Sequence, residues 1–132
     1  MKFLSNEWFE AMLAQAKKEF SKPGKLTLTY CEVYNDCPGD ESTKWVKFSI
    51  VNGVVTESCY GVGEAPKAEY MGIGSYANHV RICKGELNPK KAVLEGTLTL
   101  EDSIKAGPMR TIQLVGMYNK LVECKKIPGT EY

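Results

Sequence analysis

The fold of this chain is decided by one stretch, Lys84-Gly85-Glu86-Leu87-Asn88-Pro89-Lys90-Lys91-Ala92-Val93-Leu94-Glu95-Gly96-Thr97-Leu98-Thr99-Leu100. Gly85 predicts the end of a helix, because glycine readily adopts the left-handed conformation that follows one. Asn88 predicts the cap of a second, short helix, and Pro89 suits its first turn. Leu98 and Leu100 then share one face of a strand. The stretch carries no set of residues for bond-making chemistry, so its information is architectural.

Length and composition predict one domain. The 132 residues, 43% of them hydrophobic, are enough to bury one core and too few for two, so we expect a single domain over residues 1–132. The 17 Lys and Arg against 16 Asp and Glu give a net charge of +1 without a block of like charges, which argues against a nucleic acid or an anionic membrane surface as a partner. No apolar run reaches membrane length, so we expect no stable membrane insertion.

The two ends of the chain and its cysteines predict a cytoplasmic location. Residues Met1 to Glu7 lack the apolar segment of a signal peptide, and Thr130-Glu131-Tyr132 is not a peroxisomal tripeptide. The five cysteines are odd in number and form no Cys-x-x-Cys pair. This pattern favours reduced thiols over a disulfide framework.

The other elements follow from hydrophobic periodicity. Ser5 or Asn6 caps a first helix, whose apolar residues recur every three to four positions. Strands are predicted from about Lys25 to Tyr34 and from Ala68 to Gly74. A broadly apolar helix from Met109 to Lys125 closes the chain and must be covered on two sides or itself cover a cavity.

Asn52-Gly53 predicts a hairpin between Trp45–Val51 and Val54–Tyr60, since a type I′ turn needs positive φ at both central positions. Counting outward from this turn pairs Phe48 with Glu57 on an otherwise apolar face. Glu57 then lies at an edge or beyond a register shift, or else it places a polar group at a cavity wall.

Together these pieces resemble the sterol carrier protein type 2 domain family over about Phe3 to Leu121. The residues that carry the resemblance are Gly85, Leu87-Asn88-Pro89-x-Lys91-Ala92, Gly96-x-Leu98-x-Leu100 and the hairpin with Trp45-Val46 and Val51-Asn52-Gly53. The resemblance implies an α+β fold: a five-stranded, mainly antiparallel sheet, helices packed on one face and an apolar tunnel between the layers. It also implies a non-catalytic carrier, without a cofactor, for a fatty acid, an acyl thioester, a sterol-like molecule or another lipid.

Three features depart from the family pattern. The segment from Glu101 to Pro108 replaces a glycine and a short apolar turn. In the fourth strand the inward positions fall on Tyr70, Gly72 and Gly74, where relatives are aliphatic, unless the strand slips by one residue. His79, the only histidine, occupies a helix position that is usually aromatic or aliphatic. These departures either widen the tunnel or fill it differently.

The ligand site is predicted from the faces expected to point inward. Its hydrophobic lining would comprise Met12, Phe48, Ile50, Val80, Cys83, Ile112 and Val115. Glu57, Tyr70 and His79 are the candidates for contact with a polar head group. Because each buried methylene contributes about 0.8 kcal/mol, an apolar lining alone is sufficient to hold a long chain.

Two other functions stay open. A small enzyme or enzyme subunit would use Glu57 and His79 as acid and base, which requires the two side chains to lie within hydrogen-bond reach. A structural module would instead form a homodimer through its terminal helix and need no ligand cavity. The sequence contains no Gly-x-Ser-x-Gly and no metal-ligand spacing, so we expect no catalytic residues and no metal site.

Overall fold

The structure is a computed structural model that describes residues 1–102 and 108–132. Most of the segment from Glu101 to Pro108, which departs from the family pattern, therefore lies outside the described residues. Helices and strands follow one another in the order α1 (Asn6–Glu19), β1 (Leu28–Asn35), β2 (Lys44–Val51), β3 (Val54–Val62), β4 (Tyr70–Ser75), α2 (Tyr76–Cys83), α3 (Pro89–Glu95), β5 (Leu98–Asp102) and α4 (Pro108–Lys125).

Side chains at the helix starts set the helix boundaries. The Ser5 hydroxyl accepts the backbone N–H of Trp8 at the start of α1, and Ser75 does the same for Asn78 at the start of α2. The Asn88 side chain accepts two backbone N–H groups in the first turn of α3. Each bond pairs an N–H group that has no partner within its helix. These starts agree with the sequence to within a residue.

The strands form one mixed sheet in the order β3-β2-β1-β4-β5. β1 and β4 are parallel, and the other three neighbouring pairs are antiparallel. Along β1, the side chains of Leu28, Tyr30, Glu32 and Tyr34 are all buried, and this face of the sheet packs against the helices. The expected α+β fold with a mainly antiparallel, five-stranded sheet is confirmed.

A bulge in the β2–β3 hairpin makes the predicted register wrong. Asn52 and Gly53 form the turn with φ of 48° and 86°, and the pairs nearest to it are as expected. The register then shifts between Ser49 and Ile50, so that Ser49 pairs with Glu57. The extra residue of the bulge reverses which face of the sheet the following β3 side chains occupy. Glu57 is therefore exposed rather than facing the core.

One cluster of buried apolar side chains joins the helices to the sheet. Its largest fully buried members are Trp8, Phe9, Tyr30, Tyr34, Phe48 and Tyr70. The five cysteines are free thiols; Cys59 in β3 is exposed and the other four are buried. As expected from the sequence, the five cysteines form no disulfide bonds in the structure.

α4 contributes a buried side and an exposed side. Leu114, Met117 and Leu121 are buried in the core, whereas Met109 and Ile112 are exposed. Across residues 1–102 and 108–132, no helix is both long enough and apolar enough to span a bilayer.

Candidate functional site

A fully buried cluster of polar side chains lies between the sheet and helices α2 and α4. Glu32 is in the middle of β1, His79 is in α2 and Lys125 is the last residue of α4, and none of the three is exposed to solvent. The Lys125 ammonium group donates to the Glu32 carboxylate. The same Nζ atom lies 3.2 Å from Nδ1 of His79. The cluster thus links two helices to one strand.

Two tyrosines complete the hydrogen bonding of Glu32. The hydroxyls of Tyr30 and Tyr34 each donate to one carboxylate oxygen of Glu32 at 2.8 Å. The Tyr34 ring also packs against the His79 ring, with 4.4 Å between the ring centroids. A buried carboxylate is tolerated only when charge and hydrogen bonds compensate its loss of water, and Glu32 has both.

The surroundings of His79 keep its ring neutral. Nε2 of His79 lies 3.1 Å from the carbonyl oxygen of Val33, so Nε2 carries the proton and Nδ1 accepts from Lys125. Burial and the neighbouring Lys125 charge lower the pKa of His79 to about 3. Burial is the largest single influence on the pKa of Glu32 and raises it, but the Lys125 charge, His79 and the hydrogen bonds from Lys125 and Tyr30 together outweigh burial, so the net shift is downward. At neutral pH the cluster therefore contains one carboxylate and one ammonium group.

Two glycines in β4 provide the space for this cluster. A Cβ atom at Gly72 would lie 2.0 Å from the Tyr30 hydroxyl oxygen, and one at Gly74 would lie 3.1 Å from Nε2 of His79. Tyr70, Gly72 and Gly74 are all buried, so β4 has the predicted phase without a slip. The room left by the missing side chains is occupied by Tyr30 and His79. At Gly72, Gly74 and His79, where the sequence departs from the family pattern, the interior is therefore filled by different side chains.

The head-group candidates predicted from the sequence lie in three separate places. His79 belongs to the buried cluster, and Tyr70 is buried with its hydroxyl accepting from Nε of Arg110 at 3.2 Å. Glu57 is exposed on the outer face of the sheet, away from both. The alternative enzyme function requires Glu57 and His79 to lie within hydrogen-bond reach; Glu57 is exposed and His79 is buried, and the carboxylate beside His79 is that of Glu32.

Glu32 and Lys125 are not among the residues predicted from the sequence. Two signals point to them. Glu32 shares the inward phase of β1 with Tyr30 and Tyr34, and Lys125 follows the buried Leu121 by four residues, on the inner side of α4. Burying a charged side chain on each of two inward faces costs folding free energy unless the two charges form an ion pair.

The cluster contains acid, base and hydroxyl groups, but the protein encloses them. None of its five side chains is exposed, so a substrate would reach them only after α2 or α4 moved away from the sheet. Within the described parts of the chain, no three His, Cys, Asp or Glu side chains are placed to hold a metal ion. The arrangement supports a structural role: it fixes the two helices on the sheet.

An apolar pocket opens on the surface between α3, β5 and α4. Its volume is about 200 Å³, and its wall is formed by Pro89, Lys90, Val93, Leu94, Leu100, Val115, Tyr118 and Asn119. A dry cavity of about 150 Å³ is sufficient to bind a benzene molecule. The pocket is therefore large enough for one ring or part of an alkyl chain.

Tyr118 lies between this pocket and the polar cluster. Its ring lines the pocket and packs edge-on against Tyr30, with centroids 6.4 Å apart. Its hydroxyl is buried and has no hydrogen-bond partner among the described residues. An unpaired buried hydroxyl costs about 1–3 kcal/mol, so a polar atom that reached it would be bound favourably.

The lining residues predicted from the sequence are spread over different surroundings. Val115 lines the apolar pocket, whereas Ile112 is exposed on the outer side of α4. Met12, Phe48 and Ile50 are packed in the core. On α2, Cys83 is buried in the same core and Val80 is partly buried and packs against it. The predicted set thus includes a wall residue of the pocket and residues packed beneath the helices.

Comparison with solved structures identifies the fold. A crystal structure of sterol carrier protein 2 matches with a TM-score of 0.72 and 17% identity, over 92% of this chain and 95% of that chain. A conserved hypothetical protein from Thermus thermophilus matches with a TM-score of 0.64 and 18% identity, over 96% and 89%. The sterol carrier protein domain 2 of Helicoverpa armigera matches with a TM-score of 0.55 and 15% identity, over 91% and 85%. No protein-family model and no curated protein sequence matches the chain. The chain has the sterol carrier protein 2 fold.

Proposed function

We propose that the protein is a non-catalytic carrier that binds an apolar small molecule in the pocket between α3, β5 and α4. The observation that supports this proposal is the wall of the pocket, where Val93, Leu94, Leu100, Val115 and the Tyr118 ring surround about 200 Å³. The sterol carrier proteins that share the fold support a lipid as the class of ligand.

The size of the pocket favours a single chain over a larger lipid. Sites that enclose a drug-sized ligand measure about 300–1,000 Å³, and this pocket measures about 200 Å³. A sterol or a two-chain phospholipid would therefore require α4 to move. One alkyl or acyl chain enters the pocket as it stands, and each methylene it buries contributes about 0.8 kcal/mol.

A moving α4 would bring further predicted residues into contact with the ligand. Phe48 and Ile50 lie on the sheet face beneath the helices, so they would line a continuous tunnel only after the helix had opened. Tyr118 is a better candidate for a polar contact than Tyr70 or His79. Among the described residues the Tyr118 hydroxyl has no hydrogen-bond partner, whereas the Tyr70 hydroxyl accepts from Arg110 and Nε2 of His79 contacts the Val33 carbonyl.

The test compares two surface valines of the same size. Val115→Trp places a large ring in the pocket wall, whereas Val62→Trp adds the same ring to an exposed position in β3. We expect the unmodified protein to bind 1-decanol and decanoic acid in isothermal titration. Val115→Trp should weaken this binding at least tenfold, roughly the loss of two buried methylenes, and Val62→Trp should leave it unchanged.

Native mass spectrometry of protein purified gently from its host provides the second measurement. We expect an added mass that organic solvent removes. A protein that is always empty and that takes up neither decanol nor decanoic acid would contradict the carrier function.

A further inference from the structure

A second cleft lies where the first and last residues of the chain meet. The backbone N–H of Phe3 donates to the carbonyl of Glu131 at 2.9 Å, and Lys2 pairs with Glu131 in a parallel bridge. This terminal cleft lies between the bridge, the connection from β1 to β2 and the start of α2, and it measures about 560 Å³. It shares no lining residue with the apolar pocket. A ligand of the terminal cleft would therefore be independent of the carrier function.

One wall of the terminal cleft is aromatic. The Phe3 ring lies 5.4 Å from the Tyr76 ring and 5.3 Å from the Tyr132 ring, measured between centroids. All three residues line the cleft, and the two tyrosines are partly exposed there. Aromatic rings pack favourably against one another in tilted or stacked arrangements. The wall therefore favours a ligand that contains a ring.

Lys44 adds a positive charge to the same cleft. It is the first residue of β2 and is half-buried, and its Nζ donates to the carbonyl oxygen of Leu4 at 3.2 Å. Its ammonium group forms no ion pair with a described residue. An ammonium group has three N–H donors, so the contact with Leu4 leaves donors available. A half-buried ammonium group without a counter-charge favours an anionic ligand.

The acidic side chains nearby do not supply that counter-charge. Glu131 lines the cleft, but its carboxylate is 76% exposed and lies 4.0 Å from the amino group of Met1. Asp36 and Asp40, in the connection between β1 and β2, are exposed and do not line the cleft. Lys2 is a further lysine of the lining. Among the lining side chains, two lysines therefore stand against one carboxylate.

We propose that the terminal cleft binds a small aromatic carboxylate. The ligand carboxylate accepts from Nζ of Lys44, and the ring packs against Phe3 and Tyr76. A neutral ring would leave Lys44 without a counter-charge, whereas an inorganic anion would leave the aromatic wall in water. A dry cavity of about 150 Å³ holds a benzene molecule, so the cleft has room for an acid with two fused rings.

The experiment is isothermal titration of the whole protein at pH 7 with 2-naphthoate and with the neutral 2-naphthamide. The two compounds share one ring system, so their difference in affinity measures the effect of the charge. We expect naphthoate to bind at least tenfold more tightly, the usual effect of a hydrogen bond to a charged group. Its affinity should fall as salt is added.

Lys44→Met and Lys47→Met form a matched pair of variants. Both lysines belong to β2 and are half-buried, but only Lys44 lines the terminal cleft. Lys44→Met should lower the affinity for naphthoate about tenfold and leave that for naphthamide unchanged. Lys47→Met should change neither. Circular dichroism should show that both variants are folded.

Hydrogen exchange of the unmodified protein locates the ligand without any substitution. The amides of Phe3 and Glu131 are bonded across the bridge between the two ends of the chain. A ligand held by Lys44 and the aromatic wall stabilises this bridge, so naphthoate should slow the exchange of both amides. Residues 89–100, beside the apolar pocket, should exchange as before.

Several results would overturn the proposal. The first is equal binding of naphthoate and naphthamide, or binding of neither. A second is a Lys44→Met variant that keeps its affinity for naphthoate or loses no more than Lys47→Met. A third is protection of residues 89–100 instead of the two ends, which would place the ring in the apolar pocket. The decanol titration probes that other pocket, so its outcome and this one are separate.

Discussion

Glu32 places a full negative charge in the middle of the core. Removing a carboxylate from water costs several kcal/mol, and here the Lys125 ammonium group and the hydroxyls of Tyr30 and Tyr34 offset that cost. The Lys125 charge is the largest of these compensating interactions, because the tyrosines donate neutral hydrogen bonds. Deleting one charge should therefore do more damage than deleting both.

We expect Lys125→Met to lower the free energy of unfolding by about 3–5 kcal/mol, since it leaves Glu32 buried without its counter-charge. The double variant Glu32→Gln/Lys125→Met should recover more than half of this loss. Urea unfolding at pH 7 measures both. If Lys125→Met lowers the free energy of unfolding by less than about 1 kcal/mol, the ion pair between Glu32 and Lys125 contributes little to stability.

His79 gives the stability a predictable dependence on pH. The pKa of His79 in the folded protein is about 3, against about 6.5 in an unfolded chain. Below pH 6.5 the His79 ring therefore binds a proton in the unfolded chain but stays neutral in the folded protein. The stabilisation is complete above pH 6.5 and is lost as the pH falls, by about 1.4 kcal/mol per unit. The lowered pKa of Glu32 adds a loss of the same sign at lower pH.

Urea unfolding between pH 7 and pH 5 measures this slope. His79 is the only histidine, so few other side chains titrate in that range. His79→Gln should flatten the slope because glutamine does not take up a proton. Equal slopes for the two proteins would mean that His79 is not held neutral in the folded state.

At the scale of the elements, α4 is attached to the sheet near both of its ends. Near its start, Nη1 of Arg110 donates to the carbonyl of Thr27 at 2.7 Å, and Nε of Arg110 donates to the hydroxyl of Tyr70. At its end, Lys125 is held by Glu32. The first attachment is partly exposed and the second is buried. The start of the helix is therefore the end that can open at lower cost.

Arg110→Met should loosen the first turns of α4 and leave its last turn protected. We expect amide hydrogen exchange about tenfold faster near the start of the helix, which corresponds to the loss of one or two hydrogen bonds. As a control, Lys126→Met removes an exposed ion pair with Glu123 and should change neither end. Uniformly faster exchange along α4 would contradict separate attachments.

The elements that the sequence predicts correctly are those with local signals. Ser5, Ser75 and Asn88 cap helices through the next three residues, and Asn52-Gly53 forms its turn through its own φ angles. The bulge near Ser49 was not predictable in this way, because it depends on how two strands pair beyond the turn. A register shift of one residue exchanges the two faces of a strand, so the shift that the sequence left open for Glu57 places its side chain on the exposed face.

The buried polar cluster was less predictable, because the residues that form it are distant from one another in the sequence. Glu32 and Lys125 are 93 residues apart, and His79 lies between them. Each alone looks like an ordinary charged or polar residue. The meaning of Gly72 and Gly74 also needed the structure, since only there are Tyr30 and His79 seen in the space above them.

At the scale of the whole molecule, one core joins every layer. Trp8 in α1 is buried in that core, whereas Trp45 belongs to β2. We therefore expect a single cooperative unfolding transition, as for most single domains of this size. In Trp45→Phe, the fluorescence of Trp8 and the far-ultraviolet circular dichroism should have the same urea midpoint. Two different midpoints would divide the chain into separately unfolding units.

The distribution of the thiols provides a way to follow the protein without purifying it. Cys59 is exposed, while burial raises the pKa of Cys31 to about 12 and that of Cys124 to about 11, so these two are rarely thiolates. An alkylating reagent should add one label to the folded protein and five to the unfolded chain. The number of labels per molecule, read by mass in a crude lysate, would then report the fraction folded inside the cell.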